Sequence, residues 1–320
     1  MTTPAERYAA AKQRGKHPLT IQFIEQFDFG FDEFQIKACQ AVEDGKGVLV
    51  AAPTGAGKTV VGEFAAFSAL AQGKKCFYTT PIKALSNQKF QEFVERFGED
   101  RVGLLTGDTN INSEADVLVM TTEVLRNMLY ANSTTVKNLG SVVMDEVHYL
   151  ADKSRGAVWE EVLIHLMESV QVISLSATVS NAEEFGDWLG EVRGSTEVIV
   201  SEIRPIPLYQ HVLIGDRLVD LFREQGRINP EILGLEREAL RQVRTPRHRR
   251  DRFGDGDSRL TRPDIIEKLQ RENLLPAITF IFSRAGCDAA VKQCLAASIK
   301  LTNTEERLEI AETAARYTQN

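Results

Sequence analysis

Apolar residues fall along this chain in short, nearly unbroken runs, and between the runs lie longer stretches with apolar positions at helical spacing. The runs are Val48 to Val50, KCFYTT, RVGLLTGD, DVLVMTT, SVVMDE and VQVISLSAT; the amphipathic stretches are Val60 to Ala71, Ile82 to Phe97, Glu123 to Tyr130 and Gly156 to Glu168. A strand that is apolar at nearly every position is buried on both faces, and parallel neighbours need a helix-length crossover between them. The pattern therefore predicts an α/β fold, a parallel sheet with helices on both faces. Two helices precede it. Thr20 is placed to cap IQFIEQF, which ends near Gly30, and Asp32 to cap a helix with Phe34, Ala38, Ala41 and Val42 at core spacing, stopped by Gly45.

In such sheets ligands gather at the carboxyl ends of the strands. The hydroxyl and acidic residues of this sequence fall there: Thr79, Thr80, Asp108, Thr121, Thr122, Asp145, Glu146, Ser176 and Thr178. The first strand runs into AAPTGAGKT, Ala51 to Thr59, and then into a helix. Thr54, Gly55, Ala56, Gly57, Lys58 and Thr59 form a loop free to curl, so that the amides from Gly55 to Thr59 converge on one anion at the positive end of that helix. Lys58 adds a mobile charge for the β- and γ-phosphates, and the Thr59 hydroxyl is placed to ligate magnesium. Ala52 stands where the general G-x-x-x-x-G-K-[ST] pattern has its first glycine. Asp145 and Glu146 are the second constellation. Adjacent carboxylates at a strand end can hold magnesium through its water shell (Asp145) and polarise an attacking water (Glu146), which makes Lys58, Asp145 and Glu146 the predicted catalytic set. His148 is either a satisfied structural histidine or a relay from this pair to the S-A-T turn. Gln35, about one helix upstream of the loop, has a carboxamide that can bond the N6 and N7 edge of adenine.

Formal net charge is −7, so any nucleic-acid contact must come from a local groove and not from bulk attraction. The four cysteines show no C-x-x-C spacing, which points to neither a zinc site nor a disulfide framework and fits a reducing cytosol. No apolar run reaches the roughly 18 residues that a membrane span needs, and the polar amino terminus is no signal peptide. A cytoplasmic protein without membrane contact is expected. Residues 1–17 read as a flexible leader, 18–214 as the nucleotide-binding domain, 215–263 as a charged Arg-rich linker or insertion, and 264–320 as the start of a second domain. Arg241 to Arg252, RQVRTPRHRRDR, is either a solvated linker or a phosphate-binding stretch. LLPAITFIFSRAGCDAA predicts a strand turning into a helix.

Taken in order, FDFGFDEFQ, APTGAGKT, TPIKALSNQK, TTEVLRN, DEVHYL, RGAVWEE, SAT and FIFSR resemble the motif series of the superkiller-type branch of DExH-box helicases, across roughly residues 18 to 300; PIKALSNQK and DEVHYL are specific to that branch. The resemblance implies a P-loop NTPase with a RecA-like sheet, followed by the start of a second RecA-like domain. It implies ATP and Mg²⁺ as cofactors, and 3′-to-5′ translocation on single-stranded nucleic acid, RNA being favoured over DNA. On the same resemblance Phe29 stacks on adenine beside Gln35, and Ser176 and Thr178 couple hydrolysis to movement. Pro81, Lys83, Ala84, Asn87, Thr121, Thr122 and Arg126 then contact backbone phosphates from two helix openings, as do Ser283 and Arg284 in the later motif. The plainer alternatives are exposed charges for Lys83 and Arg126, an N-cap for Thr122, core for Trp159, and a solvated face for Glu160 and Glu161. The family's later Q-x-x-G-R-x-G-R block does not occur before Asn320. The expectation is an amino-terminal portion, monomeric, whose partners include the remaining helicase domains; without that block's arginines it is either a hydrolysing fragment or an ATP-binding module without turnover.

Overall fold

The computed structural model describes residues 15–152, 156–177, 182–223, 226–244 and 260–318. It divides into two compact parts, Met1–Pro207 and Leu208–Asn320. In the first part α1 (Pro18–Ile24) and α2 (Glu33–Glu43) lead into β1 (Gly47–Ala51), α3 (Thr59–Ala71), β2 (Lys75–Thr80), α4 (Lys83–Phe97), β3 (Val102–Leu105), β4 (Asn110–Ile111) and β5 (Val117–Thr121). Then follow α5 (Thr122–Tyr130), β6 (Leu139–Met144), α6 (Gly156–His165), β7 (Gln171–Ser176), α7 (Ala182–Arg193) and β8 (Thr196–Val200). The strands form one sheet in the order β4-β3-β5-β2-β6-β7-β1-β8, parallel except at the β3–β4 edge.

Side chains alternate across this sheet, and both faces are covered. Val48, Val50, Tyr78 and Val143 join Phe23, Phe64 and Phe93 from α1, α3 and α4 on one side. Leu49, Phe77, Val142 and Met144 join Leu125, Trp159, Leu163 and Leu189 from α5, α6 and α7 on the other. The close approach of α3 rests on Gly62, where a Cβ would stand 2.7 Å from the Tyr78 ring.

The helix α1 begins at Pro18, whose missing N–H suits an opening turn. Thr20 is therefore not its cap. Its N–H and hydroxyl, with the N–H of Leu19, instead donate to the Glu43 carboxylate at 2.6–2.9 Å. A helix of seven residues is too short to stand alone. Phe23, wholly buried and worth roughly 1.5–3 kcal/mol by its burial, pins it together with that carboxylate. The edge strands β4 and β8 have no counterpart in the sequence pattern. One is two residues long, and the other is broken by Glu197 on a half-covered edge.

The second part holds a hairpin, β9 (His211–Ile214) with β10 (Arg217–Asp220), then α8 (Glu231–Arg244), α9 (Arg262–Arg271), α10 (Arg284–Ala296) and α11 (Thr304–Thr318). The stretch 215–263 is thus not simply a linker: it contains β10 and α8, and the composition change at Gly215 marks a turn, with the boundary earlier, at Pro207. Charged surface on a thin element looks in sequence like linker composition. Residues 245–259, most of the Arg241–Arg252 run, lie outside the described residues, as does the leader up to Arg14. The strand expected in AITFIF is unpaired among the described residues, and Ile278, Phe280 and Phe282 are 82–104% exposed. A strand exists only with a ladder partner, whatever its apolar pattern. The helix expected after it, α10, does form, opened by the Ser283 hydroxyl accepting the Gly286 N–H at 3.0 Å.

Candidate functional site

The chain leaves β1 at Ala51, curls, and enters α3 at Thr59. Gly55 and Gly57 sit at φ 85° and 80°, in the left-handed region that costs other residues roughly 1–2 kcal/mol. At Gly57 space is also short, because a Cβ would stand 2.6 Å from Gln35 Nε2. The Gln35 carboxamide lies against the loop for a reason: Nε2 donates to Gly57 O at 3.1 Å and Ala56 O at 3.4 Å, while Oε1 accepts the Asp32 N–H at 2.8 Å. It closes the first turn of α2 and braces the loop. To bond adenine it must exchange one of these partners. Phe29 is 55% exposed, with its ring stacked on Phe31 on one side.

Lys58 folds over the loop, its Nζ donating to Ala52 O at 2.8 Å and Pro53 O at 3.0 Å. Burial pushes its pKa down, opposed by the nearby Glu146 and Asp145. At the start of α3 the N–H groups of Val60 and Val61 turn back to Gly57 O at 3.3 Å and Lys58 O at 3.0 Å, which closes the loop onto the opening turn of the helix. Ala52 N–H donates to Ser176 O at 3.2 Å, which ties the start of the loop to the end of β7. Ser176 is 1% exposed, and its hydroxyl has no partner among the described residues. Thr178 lies outside them.

At the end of β6, Asp145 is held from three sides. Its N–H donates to Thr79 O at 3.0 Å, Oδ1 accepts the Glu146 N–H at 2.9 Å, and Oδ2 accepts the Tyr78 hydroxyl at 2.8 Å. Glu146 stands at φ 52°, an uncommon conformation for a residue with a side chain, and turns its carboxylate to within 3.3 Å of His148 Nδ1. Burial raises the pKa of both carboxyls, and the charge of Asp145 raises that of Glu146 further. Among the described residues no group of three or more His, Cys, Asp or Glu could hold an ion by itself. Thr59 and Asp145 offer two hard oxygens beside a phosphate loop, and that donor set fits magnesium, which takes few protein ligands and fills its shell with water and phosphate. An ion held there would supply positive charge toward the phosphates of a bound nucleotide.

The helices α4 and α5 open at the ends of β2 and β5. Lys83, Ala84 and Asn87 are exposed on the first, Pro81 is buried, and a recess of about 380 Å³ lies between Pro81, Lys83, Gly107, Thr121 and Asn127. Lys83 Nζ is 2.9 Å from Asp108 Oδ1, and Arg126 Nη1 is 3.6 Å from Glu161 Oε2. Glu161 is therefore not a free solvated acid, because α6 packs against α5 and brings it to Arg126. Thr122 is not the N-cap, a position that Thr121 occupies. It is fully buried, with its hydroxyl donating to Thr80 O at 3.3 Å, and so offers a strand only the helix's amide end. Trp159 is wholly buried, stacked on Tyr149. Ser283 and Arg284, in the second part of the chain, are exposed.

Two residues at the site were missing from the sequence reading, Tyr78 and Lys89. Lys89 Nζ donates to Thr59 Oγ1 at 3.2 Å and to Glu92 Oε2 at 2.6 Å. Tyr78 sits inside an apolar strand, where a ring reads as core, and only the fold aims its hydroxyl at Asp145. Replacing an outer-shell partner of a metal ligand typically costs about 10–100-fold in metal affinity. Tyr78→Phe should therefore raise the magnesium concentration needed for half-maximal nucleotide binding by about tenfold, read by titration with a fluorescent ADP.

Residues 32–185 match the DEAD/DEAH box helicase family model. The chain is 56% identical over 305 residues to probable helicase HelY of Mycobacterium leprae, covering 91% of this chain and 33% of that protein. It is 42% identical over 310 residues to the DExH-box ATP-dependent RNA helicase DExH15, chloroplastic, of Arabidopsis thaliana, covering 85% and 26%. It is 39% identical over 302 residues to superkiller complex protein 2 of Homo sapiens, covering 89% and 24%. The chain thus spans a third or less of the length of these relatives.

Proposed function

We propose that the chain, similar over residues 32–185 to the DEAD/DEAH box helicases and more widely to relatives of their superkiller-type DExH branch, binds magnesium-ATP at the β1–α3 loop and couples its hydrolysis to 3′-to-5′ movement along single-stranded RNA. The observation that carries this reading is convergence on one sheet edge: Lys58, Thr59, Asp145 and Glu146 stand at the ends of β1 and β6, and the exposed openings of α4 and α5 lie at the ends of β2 and β5. In the reaction Lys58 leaves the loop carbonyls for the phosphates. Thr59 and Asp145 hold the ion, and Glu146 takes the proton of the attacking water. Ser176, joined to the loop through its carbonyl, passes the change toward the strand-binding edge, and Phe29 stacks on adenine while Gln35 bonds its edge.

The strand contacts are to phosphates and so are blind to sequence. Lys83 and Arg126 are each paired with a carboxylate, so a phosphate must displace Asp108 and Glu161, which limits binding by a protein of net charge −7 to this local edge. RNA is favoured by the relative named as an RNA helicase at 42% identity. A reducing cytoplasm is the proposed location, in keeping with Cys39, Cys76, Cys287 and Cys294 as free thiols. The test is unwinding of matched RNA and DNA duplexes with 3′ overhangs by the full-length protein. Faster RNA unwinding is expected. Preference for the DNA duplex would assign the same scaffold to DNA, and unwinding only from 5′ overhangs would overturn the direction.

A further inference from the structure

Among the described residues near the phosphate loop, Lys89 has a placement that nucleotide binding does not explain. An exposed lysine on a helix extends its ammonium into water. The Lys89 side chain is only 12% exposed, and it turns inward from α4 to place Nζ 3.2 Å from Thr59 Oγ1. A pairing with Glu92 three residues on would not need that burial, since Glu92 is 37% exposed and could meet it at the surface. The ammonium reaches past its 2.6 Å pairing with Glu92 to the Thr59 hydroxyl. Its charge is felt at Asp145 and Glu146 at the end of β6 and at Glu63 on α3, opposing the upward push of burial on each carboxyl.

Burying a cation is costly unless it is paired and hydrogen-bonded, and here Glu92 supplies the pairing while a hydrogen bond goes to Thr59 Oγ1, a group that magnesium would also use. A hydroxyl oxygen has two lone pairs. One is taken by Lys89, and an ion ligated by Thr59 meets an ammonium already bonded to that oxygen, with the two positive charges in mutual repulsion. The same helix carries Lys83, Ala84 and Asn87 on its exposed first turn, so the group that must yield to the metal is rooted in the element that faces the nucleic acid.

We propose that Lys89 is a positioning residue: its ammonium holds the Thr59 hydroxyl in place and competes with magnesium for it. This rests on reading Thr59 and Asp145 as the magnesium site. Removing the charge raises the affinity for the ion and weakens the nucleotide-free protein.

The test uses wild type, Lys89→Met and Lys89→Arg, with two readouts that do not involve turnover. The first is the magnesium midpoint for binding a fluorescent ADP, and the second is the melting temperature with and without magnesium-ADP. Lys89→Met is expected to lower the midpoint by about tenfold, the scale on which neighbours of metal ligands act, and Lys89→Arg to keep it near wild type. The melting temperature of Lys89→Met is expected to fall in the nucleotide-free protein and to return toward wild type with magnesium-ADP. An unchanged or raised midpoint, or a loss of melting temperature equal in both states, would overturn the proposal and leave Lys89 a structural ion pair. Wild-type ADP binding that does not depend on magnesium would instead overturn the assignment of the metal site itself, and the proposal with it.

Discussion

Glu146→Gln is expected to lower magnesium-ATP turnover by about 10²–10⁴-fold, the range contributed by a positioned general base, with nucleotide binding retained. Glutamine keeps the size of the side chain and its place beside His148, but it cannot take a proton from water. The loss therefore falls on the chemical step and leaves ground-state binding intact. A second consequence follows from burial. Desolvation and the charge of Asp145 hold the Glu146 pKa above that of an ordinary carboxylate. A raised folded-state pKa means that stability is present when the group is protonated and is lost as pH rises through that value. In the nucleotide-free protein, Glu146→Gln is thus expected to melt at a higher temperature than wild type near neutral pH, the two converging as pH falls and the native carboxyl takes up its proton. Normal turnover in the variant would remove Glu146 from the reaction.

Lys58→Ala is expected to weaken nucleotide binding by roughly 10- to 150-fold, taking ~1.5–3 kcal/mol for a hydrogen bond to a charged group. The structure supplies a rival explanation for such a loss, because Lys58 also ties the loop together through Ala52 O and Pro53 O. Lys58→Gln separates the two. Its carboxamide can still donate to a loop carbonyl but brings no charge to the phosphates, so it should bind nearly as poorly as the alanine variant in equilibrium titration with fluorescent ADP. Affinity restored by glutamine would make Lys58 a brace of the loop and not a ligand of phosphate.

The sheet was legible in the sequence wherever a strand is buried on both faces. KCFYTT is β2 residue for residue, and the helices α3 and α4 end where their apolar spacing ends, at Ala71 and Phe97. The loop and the acidic pair were legible as well, because their chemistry is local: glycines at two left-handed positions and carboxylates at a strand end. What escaped depends on long-range packing. Thr20 has the composition of a cap, but Glu43 reaches it from the far end of α2. Tyr78 reads as core until Gly62 lets α3 settle beside its ring and the hydroxyl meets Asp145. Lys89 stood in a motif recognised for its first residues, and only the direction of its side chain sets it apart. The hairpin after Pro207 and the helix after Asn229 are too charged to be told from a linker by composition.

The most direct measurement is steady-state hydrolysis of magnesium-ATP by this chain with and without single-stranded RNA, taking Glu146→Gln as the blank. Turnover above that blank is expected, with a further rise when RNA is added. Turnover no greater than the blank in either condition, from a protein that binds magnesium-ATP, would contradict the proposed hydrolysis.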